Sequence, residues 1–506
     1  MAGRESKWFR PAWSAVGLRN ALGPTQVYHL NVRLIRRGSR RSDLTSQTPP
    51  PFTLHSRVAN ASMGLNRELR IGFIAMSGVR AWDAELLALG LSMPGFVERK
   101  EVIAQLPSLG LLTLAGLTPE TDIVSYHEIF DFTRDAPPDG PFDLVAISSF
   151  TAQIEDAYRL ADHYRSLGVR AVLGGLHVSS MPDEALPHAD AIIVGEAEEV
   201  WPRLLEDVRA EKLQRVYRPT RPWNLAESPM PRFELLDPAK YNRITVQTSR
   251  GCPWKCDFCA SSILIAPRYQ TKPVDRVVAE IRRIKSIWHR PFIEFADDNT
   301  FVQREYSKSL MRALIPEQIR FFTETDISFG EDRELIDLAC EAGCKQVLIG
   351  LESPSPTGLD GMELRSNWKL KQHERYLRAI ERIQSAGITV NGCFILGLDG
   401  HTPAVFEGVL DFVHQSGLYE VQVTVQTPFP GTPLYSRLQR EGRLFADRFW
   451  EKCTLFDQTH EPLGMTSAEL RAGLIHVSQS LYNEEATGLR RKRFFDQLNR
   501  KPAVSH

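Results

Sequence analysis

A short apolar strand pattern followed by three cysteines occupies residues 243–259, whose sequence is RITVQTSRGCPWKCDFC. The apolar residues near its start suit a buried strand, which we predict over Ile244–Thr248. Cys252, Cys256 and Cys259 then follow at spacings of four and three on the loop after that strand. A loop with these spacings can carry three thiolates to three irons of one iron–sulfur cluster.

The number of nearby cysteines leaves one iron of such a cluster without a protein ligand. A 4Fe–4S cluster held entirely by protein takes four thiolates, and the next cysteine after Cys259 is Cys340. The alternative is a zinc site, which in structural proteins closes its shell with four protein ligands. The next histidine, His289, lies thirty residues after Cys259. The pattern favours a 4Fe–4S cluster on Cys252, Cys256 and Cys259, with one iron open to an external ligand.

The region from 241 to 445 alternates strand and helix patterns and predicts a partial (β/α)6 barrel. Its six predicted strands are Ile244–Thr248, Phe292–Ala296, Arg320–Thr325, Gln346–Leu351, Thr389–Leu396 and Glu420–Gln426. In α/β barrels the active site lies on the loops after the strands, and the cysteines lie on the first of these loops. Other candidate site residues follow later strands: Asp297, Asp298 and Asn299 after the second, Glu352 and Ser353 after the fourth, and Gly397 after the fifth.

These motifs resemble the radical S-adenosylmethionine superfamily, in which CxxxCxxC, with an aromatic residue before its last cysteine, occupies the first loop of a partial barrel. The resemblance implies that the amino and carboxylate groups of S-adenosylmethionine bind the open iron and that Phe258 packs near its adenine. It further implies three contacts: Asp297, Asp298 and Asn299 with the ammonium group, Glu352 and Ser353 with the ribose, and Gly397 along the adenine. Helix capping by Asp297 and Glu352 is the alternative.

A second α/β domain, flavodoxin-like (Rossmann-type), is predicted over residues 67–215. Its predicted strands are Arg70–Ser77, Asp122–Ile129, Asp143–Ser148, Ala171–Leu173 and Ala191–Val194. Ligands of such sheets bind at the carboxyl ends of the strands, and small residues there let the backbone approach a ligand. The candidate ligand-binding residues on these loops are Ser149, Thr151, Gly174, Gly175, His177, Gly195 and Glu196. Tight turns without a ligand are the alternative.

A flavodoxin-like domain directly before a radical barrel is similar to the cobalamin-binding radical S-adenosylmethionine enzymes, and the similarity extends over roughly residues 70–450. Relatives of this kind include radical C-methyltransferases, hopanoid-modifying enzymes and the anaerobic magnesium-protoporphyrin ester cyclase. The resemblance implies that the first domain binds cobalamin. The sequence lacks the Asp-x-His-x-x-Gly motif, whose histidine is the lower cobalt ligand in many cobalamin proteins, and we do not predict His177 as a cobalt ligand.

The remaining segments have simpler patterns. Residues 1–62 contain ten Arg or Lys and two acidic residues, so we predict a disordered basic extension over 1–66; a transit peptide or translation from an upstream start codon are alternatives. A proline-rich linker is predicted over 216–240, and a helical C-terminal region over 446–506. We expect no membrane span, because the sequence has no sufficiently long apolar run.

Cysteine content and charge restrict the environment and the partners. Seven irregularly spaced cysteines in 506 residues do not form a disulfide framework, so a reducing cytoplasm is expected. Cys340 and Cys344 would share one face of a predicted helix, where we expect small buried residues rather than metal ligands. A net charge of −1 provides no field that attracts nucleic acid.

The expected function follows from the resemblance. It implies a 4Fe–4S cluster, S-adenosylmethionine and cobalamin as cofactors, and an electron donor such as flavodoxin or ferredoxin. A 5′-deoxyadenosyl radical would activate an unactivated carbon of a small-molecule or lipid substrate, which would then be methylated. Two alternatives stay open: oxidative cyclisation or ring rearrangement of a porphyrin or lipid without methyl transfer, and a non-catalytic iron–sulfur or cobalamin carrier.

Overall fold

The computed structural model describes residues 67–499, apart from 77, 80, 90–105, 131, 133 and 267. The predicted disordered extension over 1–66 lies outside the described residues. The strands are β1 Arg70–Met76, β2 Ile123–Ile129, β3 Leu144–Ser149, β4 Arg170–Gly174, β5 Ala191–Ile193, β6 Val216–Tyr217, β7 Ile244–Val246, β8 Ser249–Arg250, β9 Gln270–Thr271, β10 Phe292–Phe295, β11 Arg320–Thr325, β12 Cys344–Glu352, β13 Thr389–Leu396 and β14 Glu420–Val425.

The α-helices connect these strands and form the C-terminal region. They are α1 Ala84–Ala88, α2 Leu109–Leu117, α3 Ile154–Ser166, α4 Leu176–Ser180, α5 Pro182–Ala185, α6 Trp201–Arg209, α7 Val274–Ile287, α8 Arg304–Leu314, α9 Arg333–Glu341, α10 Pro356–Leu359, α11 Trp368–Gln372, α12 Tyr376–Ser385, α13 Val405–Ser416, α14 Pro433–Arg440, α15 Ser467–Tyr482 and α16 Glu484–Asn499.

The first sheet has the strand order β2-β1-β3-β4-β5-β6, and all of its pairs are parallel. Its first five strands have the flavodoxin-like order, in which ligands bind near the point where the strand order reverses. The five predicted strands are present, and none of their ends is shifted by more than one residue. The sixth strand, β6, was not predicted, because two residues are too short for an alternation pattern.

Apolar residues cover both faces of the first sheet. On one face Ile74 packs in a cluster with Tyr158 of α3. On the other face Phe73 packs with Trp201 of α6, with ring centroids 5.5 Å apart. Nearly continuous apolar strands are typical of parallel sheets that are covered by helices on both sides. This packing leaves the carboxyl edge of the sheet for ligand binding.

The second sheet has the order β14-β13-β12-β11-β10-β7, again with parallel pairs. It is the predicted partial barrel. Ile293 and Phe295 of β10 pack outward in the apolar core, as do Val421 and Val423 of β14. Because side chains alternate along a strand, Glu294 and the other intervening residues face the barrel interior.

Two sequence expectations need correction or refinement. Cys340 and Cys344 do not share a helix, because α9 ends at Glu341 and Cys344 is the first residue of β12. Gly343 between them has φ +100°, a conformation in which glycine commonly ends a helix. The C-terminal helical pattern forms two helices, α15 and α16, which are separated at Asn483.

Within the described part of the chain, no helix combines the length and the apolar character that crossing a bilayer requires.

We predict that Gly343→Ala destabilises the chain more than Gly442→Ala. Both glycines have positive φ, so alanine is strained at either site by about 1 kcal/mol. A Cβ at Gly343 would also lie 2.0 Å from the backbone oxygen of Ile319, whereas a Cβ at Gly442 would meet nothing within 4 Å. Chemical denaturation of the metal-free chain should show an additional loss of about 2 kcal/mol for Gly343→Ala. Equal losses in the two variants would contradict the close packing of Gly343, in the turn between α9 and β12, against the backbone of Ile319.

Candidate functional site

The cysteine loop begins where β7 ends, and its first residues are held by hydrogen bonds. Strand β8 pairs with β9, which brings Gly251 against the backbone of Arg268. Gly251 has φ +87°, and a Cβ there would lie 2.5 Å from the Arg268 oxygen. Its N–H donates to Oδ2 of Asp298 at 2.7 Å. Only glycine therefore fits directly before Cys252.

The segment that follows α10 holds the middle of the cysteine loop. The Glu363 carboxylate accepts hydrogen bonds from the N–H groups of Lys255 at 3.2 Å and Ser366 at 2.8 Å. Cys256 and Glu363 also form a backbone bridge. The rings of Trp254 and Trp368 stack with centroids 4.2 Å apart. These contacts hold the loop between Trp254 and Cys256 against the segment that follows α10.

The three thiols lie close enough for a charge on one to affect another. Cys256 is buried, and Cys252 and Cys259 are partly exposed. Burial raises the pKa of Cys252 to about 11, and a charge on Cys259 acts in the same direction. Among the described residues, no three His, Cys, Asp or Glu side chains converge as they would around one metal ion. A cubane cluster places each thiolate on a different iron, so this donor set fits a 4Fe–4S cluster.

The three polar residues after β10 have different partners. Oδ1 of the buried Asp297 accepts hydrogen bonds from the N–H groups of Thr248 at 2.7 Å and Ser249 at 2.9 Å. Its Oδ2 accepts one hydrogen bond from the Thr248 hydroxyl and one from the Thr300 hydroxyl. Its carboxylate therefore anchors the start of the cysteine loop. Asp298 accepts from Gly251, as described above, and from the Ser261 hydroxyl. These contacts hold both carboxylates in place.

Asn299 lies directly beside the first cysteine. Its Nδ2 donates to Oδ2 of Asp326 at 2.8 Å and lies 3.8 Å from Sγ of Cys252. The indole N–H of Trp254 donates to the same Asp326 oxygen at 3.0 Å. Because hydrogen bonds to ligand sulfurs tune the reduction potential of iron–sulfur clusters, Asn299 is placed to influence a cluster on Cys252.

Glu352 and Ser353, at the end of β12, have buried polar partners that are distant in sequence. Lys369 donates to Oε1 of Glu352 at 2.9 Å and is itself buried. The negative charges of Glu352 and Cys256, acting against desolvation, raise the pKa of Lys369. The Ser353 hydroxyl lies 2.9 Å from Nε2 of His401. Burial lowers the pKa of His401 to about 4, so this imidazole is neutral at physiological pH.

Phe258 and Gly397 lie on two loops that Arg437 links through Asp257 and Asp399. Phe258 is partly buried and packs against the barrel core. Gly397 directly follows β13 and packs against α15, where a Cβ at Gly397 would lie 2.8 Å from Cδ2 of Leu470. The assigned contacts of Phe258, Asp297, Asp298, Asn299, Glu352, Ser353 and Gly397 with S-adenosylmethionine remain predictions.

A cavity of about 530 Å³ lies where the first sheet meets the barrel. From the first domain it is lined by the predicted residues Gly174, Gly175, Gly195 and Glu196, and from the barrel by Gln247, Arg250, Ala296 and Asp298. Two domains thus share one cavity at the carboxyl ends of their strands. The glycines keep the strand ends free of side chains, which fits a wide, flat ligand such as a corrin.

The other three candidate residues of the first domain do not line this cavity. Ser148 and Phe150 line it, and Ser149 and Thr151 alternate with them. Both Ser149 and Thr151 are buried, and their hydroxyls have no hydrogen-bond partner among the described residues. His177 is fully buried, with Nε2 3.4 Å from Oε1 of Glu184.

Three residues of the site had no role in the sequence-based prediction. Arg250 belongs to the quoted stretch but carries no motif signal of its own, and it contacts acidic residues more than fifty positions away. Lys369 and His401 have polar partners 17 and 48 residues away. Sequence spacing alone does not reveal such contacts.

Three protein families match parts of the chain. Residues 246–413 match the Radical SAM superfamily, and residues 106–205 match the B12 binding domain. Residues 432–506 match a domain of unknown function (DUF4070).

Individual proteins extend the comparison. The chain is 30% identical over 370 residues to bacteriochlorophyllide d C-8(2)-methyltransferase of Chlorobaculum tepidum, covering 68% of this chain and 78% of the relative. It is 28% identical over 387 residues to the C-12(1)-methyltransferase of the same organism, covering 75% and 83%. The fold resembles that of TsrM, a radical S-adenosylmethionine methyltransferase from Kitasatospora setae solved with cobalamin and a 4Fe–4S cluster. The TM-score is 0.60 and the sequence identity is 14%, and the match covers 83% of this chain and 90% of TsrM.

We predict that Cys256→Ala abolishes cluster binding. The variant lacks one of three thiolates, so anaerobic reconstitution should leave iron and sulfide contents far below those of the unsubstituted chain. Cys340→Ala is the matched control, because Cys340 lies on α9 with its thiol directed to the backbone oxygen of Ala386. Full iron and sulfide content in Cys256→Ala would contradict the assignment of the ligands.

Proposed function

The chain belongs to the cobalamin-binding radical S-adenosylmethionine enzymes, and we propose that it methylates an unactivated carbon of a small-molecule or lipid substrate. This family includes radical methyltransferases, hopanoid methylases and an anaerobic magnesium-protoporphyrin ester cyclase. The observation that carries the proposal is the cavity shared by the two domains, because methyl transfer needs cobalamin and S-adenosylmethionine to face a common substrate.

When bound, the cofactors supply the difficult chemistry: radical hydrogen abstraction from carbon, and a methyl group. The protein supports this by orientation. Asp297 holds the start of the cysteine loop and Glu363 holds its middle, both by accepting hydrogen bonds from backbone N–H groups. Buried Lys369 balances the charge of Glu352 beside Cys256. We assign no side chain of the chain as an essential general base.

We propose that the substrate occupies the barrel interior next to the shared cavity. Ala296 lines the cavity, and Glu324 lies beside it on the neighbouring strand β11. Both side chains face the inside of the barrel, where water reaches them although the barrel wall surrounds them. Asn391 lies on β13, and Gln426 directly follows β14. Both are buried, and each has a side-chain oxygen without a hydrogen-bond partner among the described residues. These acceptors favour a substrate that brings hydrogen-bond donors into the barrel.

The electron donor belongs to the proposal as well. We propose a flavodoxin or a ferredoxin, because cleavage of the sulfonium requires one low-potential electron. The sites of Cys252 and Cys259 are partly exposed, so a reduced carrier can approach the cluster from that side. A thiolate-bound cluster with an open iron also requires a reducing compartment, and we propose the cytosol.

We predict that S-adenosylmethionine with a deuterated methyl group labels the product. Tetrapyrrole and hopanoid substrates are the first to test, because relatives are named for acting on bacteriochlorophyllide d and on hopanoids. Mass spectrometry after anaerobic reduction should detect 5′-deoxyadenosine and a product that carries the labelled methyl group. An altered product without label would instead indicate cyclisation or rearrangement. Absence of 5′-deoxyadenosine under reducing conditions would indicate a carrier.

We predict that Glu324→Gln becomes more stable relative to the unsubstituted chain as the pH rises. Burial within the barrel wall raises the pKa of Glu324 to about 8, and the negative charges of Glu294, Asp298 and Asp297 act in the same direction. The positive charge of Arg243 acts in the opposite direction. The folded chain then holds a proton that the unfolded chain releases, so the free energy of unfolding falls as the pH rises towards 8. Glutamine removes this loss.

The measurement for Glu324 is the melting temperature of the metal-free chain between about pH 6 and about pH 9. The difference between Glu324→Gln and the unsubstituted chain should grow up to about pH 8 and then level off. Glu305→Gln, at an exposed position of α8, is the control and should show a constant difference. A constant difference for Glu324→Gln as well would remove the evidence for an enclosed carboxyl group in the barrel.

A further inference from the structure

Arg250 joins the cysteine loop to the first domain through two carboxylates. Its Nη1 donates to Oε1 of Glu196 at 2.6 Å, and its Nη2 donates to Oε1 of Glu198 at 2.7 Å. Both acceptors lie on the loop after β5. Glu196 and Glu198 are buried, and the Arg250 side chain is 16% exposed, so water screens these ion pairs little.

The position of Arg250 ties this contact to the cluster ligands. Arg250 is the second residue before Cys252, and it is the last residue of β8, which pairs with β9. Its Nε and Nη2 also donate to Oε1 of Gln247, at 3.2 Å and 3.0 Å. Because three of its nitrogens are engaged, the planar guanidinium has one defined orientation.

The carboxylate partners are anchored from their own side. Oε2 of Glu196 accepts the N–H of Trp223 at 2.8 Å, which connects the same contact to the segment between the domains. Glu196, Glu198, Gln247 and Arg250 all line the shared cavity of about 530 Å³. The contact that joins the domains is therefore part of the wall against which a corrin would lie.

We propose that Arg250 is a positioning residue that sets the distance between the bound corrinoid and the iron–sulfur cluster. The proposal rests on the proposed function, which requires both cofactors at the shared cavity. Glu196 and Glu198 fix the corrin-side loop, Arg250 fixes the cluster-side loop, and the guanidinium is the link between them. Without the link, each loop keeps its own hydrogen bonds, and the spacing of the two cofactors becomes variable.

Charge decides which variants can test this link. Arg250 is the positive partner of Glu196 and Glu198, and Asp298 adds a third carboxylate to the cavity wall. Arg250→Met alone would leave Glu196 and Glu198 buried without their cation, which destabilises proteins. The triple variant Arg250→Met, Glu196→Gln, Glu198→Gln removes the link and the uncompensated charge together. Glu198→Gln weakens only one of the two contacts.

The matched control is Glu199→Gln. Glu199 neighbours Glu198 on the same loop, but it is directed away from the cysteine loop and accepts hydrogen bonds from the N–H groups of Thr220 and Arg221. Each protein is reconstituted anaerobically as the full chain. Iron and sulfide contents and the melting temperature establish that cluster binding and folding are retained.

Two measurements on these proteins test the link. Absorbance titration with hydroxocobalamin gives the corrinoid dissociation constant, which should increase about tenfold in the triple variant and by less in Glu198→Gln. Pulsed electron paramagnetic resonance on samples with cob(II)alamin and the reduced cluster gives the distance between the two spins. We expect a narrow distance distribution in the unsubstituted chain and in Glu199→Gln, and a broad one in the triple variant.

The outcomes separate this inference from the proposed function. An unchanged distance distribution in a folded triple variant that contains the cluster would overturn the positioning role, whatever the substrate is. Broadening in Glu199→Gln to the same extent would also overturn it, because the effect would then belong to the loop rather than to Arg250. Failure of the proposed function would instead appear in the unsubstituted chain, as a product without a labelled methyl group.

Discussion

The loop from Gly251 to Cys259 must present three thiols at separate points while its own backbone groups stay hydrogen-bonded. Buried N–H groups without partners are costly, and here carboxylates satisfy them: Asp298 accepts from Gly251 at the start of the loop, and Glu363 accepts from Lys255 in its middle. Both carboxylates come from other parts of the barrel, so the loop has its shape only when the barrel is folded. The fold therefore sets the positions of the three thiols that we predict as cluster ligands.

The two domains meet at the carboxyl edges of their sheets. Each parallel sheet ends in a row of loops at its carboxyl edge, and the two edges meet at one cavity. Gly174, Gly175 and Gly195 leave room on one side, while polar residues that follow the barrel strands line the other. Methyl transfer between cofactors held by different domains requires this shared edge, and Arg250 crosses it with buried ion pairs.

Periodic features of the chain were predictable from its sequence. Strands β11 and β13 have the bounds that the sequence patterns predicted, because both are rich in the aromatic and β-branched residues that favour strands. The sequence did not predict which of two neighbouring residues at the end of a strand faces the cavity: Ser148, rather than the predicted Ser149, lines it. Contacts between distant residues were also missed, such as Lys369 with Glu352, because a buried lysine leaves no pattern in its neighbours. Asp297 was predicted beside a ligand, but its hydrogen bonds to Thr248 and Ser249 appear only in the folded barrel.

The central claim is that three thiolates hold a cluster whose fourth iron binds S-adenosylmethionine. Mössbauer spectroscopy of the chain reconstituted with iron-57 tests it most directly, because each iron contributes its own absorption. The account predicts that S-adenosylmethionine shifts about a quarter of the cluster signal and leaves the other three irons unchanged. A spectrum that S-adenosylmethionine does not alter, or a purified chain that holds zinc in place of iron, would contradict it.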